Sequence, residues 1–228
     1  MKIEQIYSKG SNHTTYYLES NGEAAIFDPS DEIHLIIEKA NVDYARIKYV
    51  FETGFHENLE RLHMAIKNET GGDIIFGCGD INNYYGITAN DNQVFRVGDC
   101  KVKAIYTPGH TLEATSYLII DENGMEHGLI TGATLLIGDV GEPNADYKNA
   151  KALSKESLVR ILYKTIKERI LPLKDILVIY SNPKNPGAHR KMMSAFITDT
   201  LGHQKKVNYA LQPMSENDFV NVVLGIAV

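Results

Sequence analysis

With 228 residues, 43% of them hydrophobic and 23% charged, the chain is long enough to bury the core of one large α/β domain and has ordinary globular composition. Its formal net charge of -6 argues against non-specific binding to nucleic acid or to an anionic membrane surface. No apolar run approaches the roughly 20 residues of a membrane-spanning helix, and the alternating start, Met1 to Tyr7, lacks the apolar stretch of a signal peptide, so the expected location is the cytoplasm.

Taken in chain order, Met1 to Tyr7 alternates like a strand. Thr14 to Glu19 and Ala24 to Phe27 flank the turn signal Asn21-Gly22 and predict a hairpin ending at Asp28-Pro29. One of Tyr16 and Tyr17, on alternate faces of the first strand, is expected in the core. Ser30-Asp31-Glu32 then leads into Ile33, Ile36, Ile37 and Ala40 at helical spacing. A strand, Ile47 to Phe51, precedes Thr53-Gly54-Phe55-His56-Glu57-Asn58. Leu59, Leu62, His63 and Ile66 predict a helix that stops near Thr70-Gly71-Gly72, and His63 on it reads as a packing or surface residue. Asp73 to Phe76 is a short strand, and Tyr84-Tyr85 falls in a Gly- and Asn-rich loop, Asp80 to Asn92.

Gln93 to Val97 and Lys101 to Tyr106 predict a second hairpin about Gly98-Asp99. Ala114 to Ile120 and Glu126 to Ile130 predict a third. An amphipathic helix is expected from about Ala152 to Ile170, with Leu153, Leu158, Ile161, Leu162 and Ile166 on its apolar face and Leu171-Pro172 at its end. Ile176 to Tyr180 is expected as the last strand, followed by an irregular loop and mixed helix and coil. Hairpins with interspersed helices fit two packed sheets covered by helices better than a doubly wound parallel sheet. Cys78 and Cys100 have no CxxC partner and read as free, structural or incidental thiols in a reducing compartment.

Several segments carry a resemblance. They are Tyr16 to Pro29, Tyr49-Val50-Phe51-Glu52-Thr53-Gly54-Phe55-His56, Thr107-Pro108-Gly109-His110-Thr111, Ile130 to Gly141, and the tail Thr200 to Leu211. In these the chain resembles the metallo-β-lactamase-fold superfamily. Within it, the chain is similar to the glyoxalase II-like and persulfide dioxygenase-like branch, notably bacterial members in which this domain precedes rhodanese-like domains. The resemblance spans nearly the whole chain and implies an α+β fold, the αββα four-layer sandwich. It also implies a domain at 1–204 and an extension at 205–228 that leads toward a rhodanese-like domain absent from the sequence.

The family's first loop is Thr-His-x-His-x-Asp. Here Gly54 stands at the first His, His56 at the second and Asn58 at the Asp. The Pro-Gly-His-Thr loop keeps its ligand as His110, the Gly-Asp-Thr loop has Ala133 in place of its Asp, and the stretch Tyr180 to Lys184 has no His. A two-His, one-carboxylate iron site then retains only His110. His56 and His110 together leave a catalytic zinc one protein ligand short. Asn58 and Ala133 also remove charge that would balance a dication.

Other residues bear on the site. Glu57 and Asp139 are the nearby acids, and Asp139, in the turn Gly138-Asp139-Val140-Gly141, is expected to bond backbone N–H groups. Glu142 stands where the resemblance has an Arg, and is expected either to disfavour an anionic thiol at a pocket rim or to be a solvated loop residue of no consequence. His13 and His189 sit in loops, and Lys184, His189, Arg190 and Lys191 read as a solvated basic cluster. The residues expected at the altered site are Gly54, His56, Glu57, Asn58, His110, Ala133 and Asp139, with His56 and His110 as the only metal ligands if a metal binds. No catalytic residue is assigned. The expectation is a weak or inactive relative with no cofactor, or zinc or iron if any, that binds a small molecule or a protein partner, including a second copy of itself, and neither nucleic acid nor membrane. The competing expectation is a working zinc or iron hydrolase or dioxygenase with a rearranged site built on His56, His110 and Glu57 or Asp139, acting on a thioester or persulfide.

Overall fold

The computed structural model describes residues 1–7, 14–54, 59–78, 85–143, 153–182 and 198–226. Twelve strands form two six-stranded sheets among these residues. The first sheet runs in the order β1 (Lys2–Tyr7), β2 (Thr14–Ser20), β3 (Glu23–Phe27), β4 (Arg46–Phe51), β5 (Asp73–Phe76) and β6 (Ile87–Thr88). Its β1, β2 and β3 are antiparallel, and β3 through β6 are parallel. The crossover from β3 to β4 carries α1 (Ile33–Val42), and that from β4 to β5 carries α2 (Leu59–Thr70).

The second sheet runs β12 (Thr198–Thr200), β11 (Val178–Ser181), β10 (Glu126–Gly132), β9 (Thr115–Ile120), β8 (Cys100–Tyr106) and β7 (Val94–Val97). All its pairs are antiparallel except β10 with β11, which α3 (Lys155–Thr165) connects. The sheets stack face to face. Tyr16, Leu18, Phe27 and Phe51 of the first meet Phe95, Val102, Tyr117 and Ile119 of the second in one buried cluster. Phe51 sits at its centre, with ring centroids 4.8 Å from Tyr117 and 5.0 Å from Phe27.

Helices cover both outer faces, completing the four αββα layers. Ile36 and Ala40 of α1 and Leu62 and Ile66 of α2 pack on Tyr17, Ile26, Val50 and Ile74. Tyr16 and Tyr17 are therefore both buried, where one was expected, because this sheet is covered on both faces. On the second sheet, Val159, Leu162 and Ile166 pack over Leu118, Leu129 and Ile179.

Two segments depart from expectation. Ser154 caps α3 by accepting the N–H of Ser157, so the helix begins at Lys155 rather than near Ala152. From Ile166 to Ile170 the helix widens into a π-helical turn, with both isoleucines still buried. The last strand is β12, not the one ending at Tyr180. It is a three-residue edge strand whose Thr198, Asp199 and Thr200 carry no apolar alternation to reveal it.

The C-terminal segment docks on this same core. After β12 come α4 (Leu201–Val207), a 3-10 turn (Tyr209–Leu211) and α5 (Glu216–Leu224). Leu201, Ala210, Leu211, Phe219, Val220 and Val223 join the cluster under α3. Arg160 of α3 bonds Glu216 at 3.0 Å, and Tyr163 donates to the Met214 carbonyl at 3.0 Å. No helix among the described residues is long and apolar enough to cross a membrane.

Candidate ligand site at the strand ends

β3 and β4 run parallel, as do β8, β10 and β11, and the segments that leave them meet at one edge of the sandwich. Asp28 follows β3 in the left-handed region at φ 50 and is buried. Its carboxylate accepts both the N–H and the hydroxyl of Thr53, each at 2.8 Å. The Thr53 carbonyl accepts the N–H of Thr115 at 2.8 Å, which ties the end of β4 to the start of β9. Gly132 ends β10 at φ 52, and a β-carbon there would lie 2.1 Å from Thr53 Oγ1, so only glycine fits against Thr53. The Gly132 carbonyl accepts the N–H of Asn182 at 2.9 Å. Thr53-Gly54, Gly132-Ala133 and Ser181-Asn182 are thus held together by the close packing of Gly132 on the Thr53 side chain and by the Gly132–Asn182 backbone bond.

The His110 loop enters from β8. Thr165 donates to the Pro108 carbonyl at 2.6 Å, and Leu158 of α3 packs on Leu112. His110 is 6% exposed and lies over Gly141, where a β-carbon would come within 3.0 Å of both the His110 Nδ1 and the Ala133 β-carbon. The Gly141 N–H bonds the Ala133 carbonyl at 2.9 Å. Among the described residues His110 Nδ1 has no hydrogen-bond partner, and neither has the buried hydroxyl of Thr111. Burial holds the His110 pKa below the ordinary imidazole value, and the backbone and carboxylate of Glu142 offset part of that. The ring is therefore neutral around pH 7.

Gly54 faces this loop. A β-carbon on it would lie 3.7 Å from Thr111 Oγ1, with no other described residue beyond its chain neighbours that close. The structure therefore brings Gly54, His110 and Ala133 into one corner. It does not bring Asp139 there as a donor. The Asp139 Oδ1 accepts the Val140 N–H and the Tyr209 hydroxyl, each at 2.7 Å, which turns the carboxylate toward the C-terminal segment. Glu142 is half-exposed and paired with Lys155 at 2.9 Å. His56, Glu57 and Asn58 lie outside the described residues, as do His13, Lys184, His189, Arg190 and Lys191.

Under this corner lies a pair that sequence spacing does not reveal. Glu52, at the end of β4, and His63, on α2, are both buried, with His63 Nε2 2.5 Å from Glu52 Oε1. The pair bridges the two ends of the segment that carries Gly54, and the Tyr85 ring lies tilted beside His63 with centroids 6.0 Å apart. His63 is thus a packing residue, as expected, but one that packs as half of an ionisable pair. A charged residue directly after an apolar strand was the available signal. Thr111 had no signal beyond its place in the Pro-Gly-His-Thr loop.

The donor set can be compared with what the fold's metals require. A catalytic zinc takes three protein ligands, and a mononuclear iron of this type takes two imidazoles and a carboxylate. Of Gly54, His110, Ala133 and Asn182, only His110 offers imidazole or carboxylate. Among the described residues no three His, Cys, Asp or Glu side chains are grouped to hold a metal. The described residues therefore do not fit either ion.

No protein-family model matches the chain. A metallo-β-lactamase from Staphylococcus aureus superposes on 99% of it with a TM-score of 0.85 at 25% identity, covering 68% of that chain. The chain belongs to the metallo-β-lactamase-fold superfamily. ETHE1 from Myxococcus xanthus shares this fold over 100% of the chain and 92% of its own, with a TM-score of 0.78 at 19% identity. The metallo-β-lactamase-fold chain is also 29% identical over 151 residues to the cytoplasmic hydroxyacylglutathione hydrolase of Arabidopsis thaliana, a match covering 62% of the chain and 56% of that relative. It spans about half the length of the curated relatives it matches first.

Proposed function

We propose that this protein is a glyoxalase II-like or ETHE1-like member of the metallo-β-lactamase fold whose metal framework has been pared down, and that it binds a small molecule or a protein partner in place of catalysing hydrolysis or oxidation. The observation that carries this reading is the corner itself. Gly54 and Ala133 stand beside His110 where the family pattern has an imidazole and a carboxylate, while the hydrogen bonds around them, Asp28 carboxylate to Thr53 and Gly132 carbonyl to Asn182, are intact. Loss of donors within a kept frame favours a retained pocket with different use. The cytoplasm remains the proposed location.

The names of the relatives favour a second reading, a metallohydrolase whose site is completed by His56 and Glu57. An assay with a hydroxyacylglutathione thioester separates the two. The pared-down site is expected to give no turnover above uncatalysed hydrolysis. Steady turnover that a chelator abolishes would establish the second reading.

A further inference from the structure

We infer that the outer face of the β7–β8 hairpin docks an extended acidic segment of another protein, one with carboxylates at alternate positions. The register sets Val94 opposite Lys103 and Arg96 opposite Lys101, so these four side chains share the face turned away from Phe95, Val97 and Val102 of the core. Farther along the same face, Ile105 and Leu118 are buried under α3. Beyond that cover Val94, Arg96 and Lys101 are exposed and Lys103 is half-buried. Among the described residues none of the three cations belongs to an ion pair. Glu126 of the same sheet is held by Lys174, and Asp91, just before β7, by Arg169.

Like charges directly opposite one another weaken a sheet, yet Arg96 and Lys101 stand in that relation in a chain of net charge -6. Protection of a sheet edge accounts for Arg96 alone. Lys101 and Lys103 lie on β8, which is paired on both sides, with β7 and with β9. β7 itself ends the sheet and has no neighbouring strand on its far side among the described residues. A strand added there would turn alternate side chains onto this face. One carboxylate would stand opposite Arg96 beside Lys101, and the next opposite Val94, one strand from Lys103. Charge complementarity thus selects acidic residues, and the free edge selects an extended peptide backbone. Three cations in a chain of net negative charge are few for a nucleic acid, whose affinity grows with the number of phosphates neutralised. Lys101 lies five residues before Tyr106 on β8, about 17 Å from the strand end that leads to His110. The inference therefore stands whether or not that corner holds a metal.

The test titrates the full chain into the fluorescein-labelled peptide Glu-Val-Glu-Val-Glu-Val-Glu and follows anisotropy at low and at physiological salt. Saturable binding that weakens as salt rises is expected, with amide NMR shifts concentrated in Val94 to Val97 and Lys101 to Lys103. Arg96→Glu combined with Lys101→Glu keeps a like-charge pair, so it is expected to fold as the parent does while weakening the peptide at least about tenfold. Lys101→Glu alone creates an opposite-charge pair and is expected to raise the melting temperature by about 1–3 °C while weakening the peptide. A fall in that temperature would mean that the cations serve the fold, and would overturn the inference. So would no saturable binding, equal binding by the double variant, shifts centred elsewhere, or equal binding of the unalternated Val-Val-Val-Glu-Glu-Glu-Glu. Tighter uptake of single-stranded DNA or of phosphatidylserine vesicles would overturn it too, by assigning the face to a nucleic acid or a membrane.

Discussion

Replacing His63 by Leu is expected to lower the unfolding free energy by about 3–5 kcal/mol, read as a shift of the urea midpoint. The Glu52 carboxyl is wholly buried, and His63 is the side chain that meets it. Its second oxygen already has no partner among the described residues. Removing the imidazole leaves the whole carboxyl without compensation in the interior. Replacing both residues by Leu is expected to recover most of the loss, because an apolar pair of similar volume needs no partner. If His63→Leu costs no more than a surface substitution, the pair does not hold the two ends of the Gly54 segment together.

The same pair sets a pH dependence. Burial pushes the Glu52 pKa up to about 7, Asp28 adds to the rise, and His63 opposes it. A carboxyl raised above its ordinary 4.5 favours the protonated form in the folded chain. The stability it contributes is present in full below the unfolded value and is lost as pH rises through about 7. The urea midpoint is therefore expected to fall across that window. In Glu52→Gln, which cannot ionise, this part of the slope is expected to vanish.

The second large effect is a gain. Gly54→His combined with Ala133→Asp is expected to convert the protein into one that retains about one zinc or iron per chain through gel filtration. Together with His110 these changes supply two imidazoles and a carboxylate from three segments that already approach one another at this corner. Among the described residues beyond its chain neighbours, only Thr111 Oγ1, at 3.7 Å, comes within 4 Å of a β-carbon on Gly54. Each single substitution is expected to leave metal retention well below that of the pair. A double variant that folds but holds no metal would mean that Gly54 or Ala133 does not stand at a ligand position.

Much of the layered fold was legible because strand and helix periods differ and the turns announce themselves. Asn21-Gly22 and Gly98-Asp99 each sit where the chain reverses. What stayed hidden was tertiary. β12 carries no alternation, and only one of Tyr16 and Tyr17 is expected in the core from the sequence, because burial on both sheet faces depends on helices placed later in the chain. Phe219 and Val220 fall in a stretch that the sequence offers only as mixed helix and coil, yet they join the buried cluster under α3. At the site, Gly54, His110 and Ala133 were singled out by motif. The locks that hold them, Asp28 on Thr53 and Gly132 on Thr53, join residues at the ends of three different strands, and no spacing in one strand encodes such contacts. Asp139 shows the converse. Its turn was read correctly as backbone-bonded, while its second partner, Tyr209, lies 70 residues away.

The measurement that bears most directly on the pared-down site is elemental analysis of the full chain, purified without added metal and without chelator. The proposal expects zinc and iron each far below one per chain. About one equivalent of either, retained through gel filtration and lost when His110 is replaced by Ala, would contradict it.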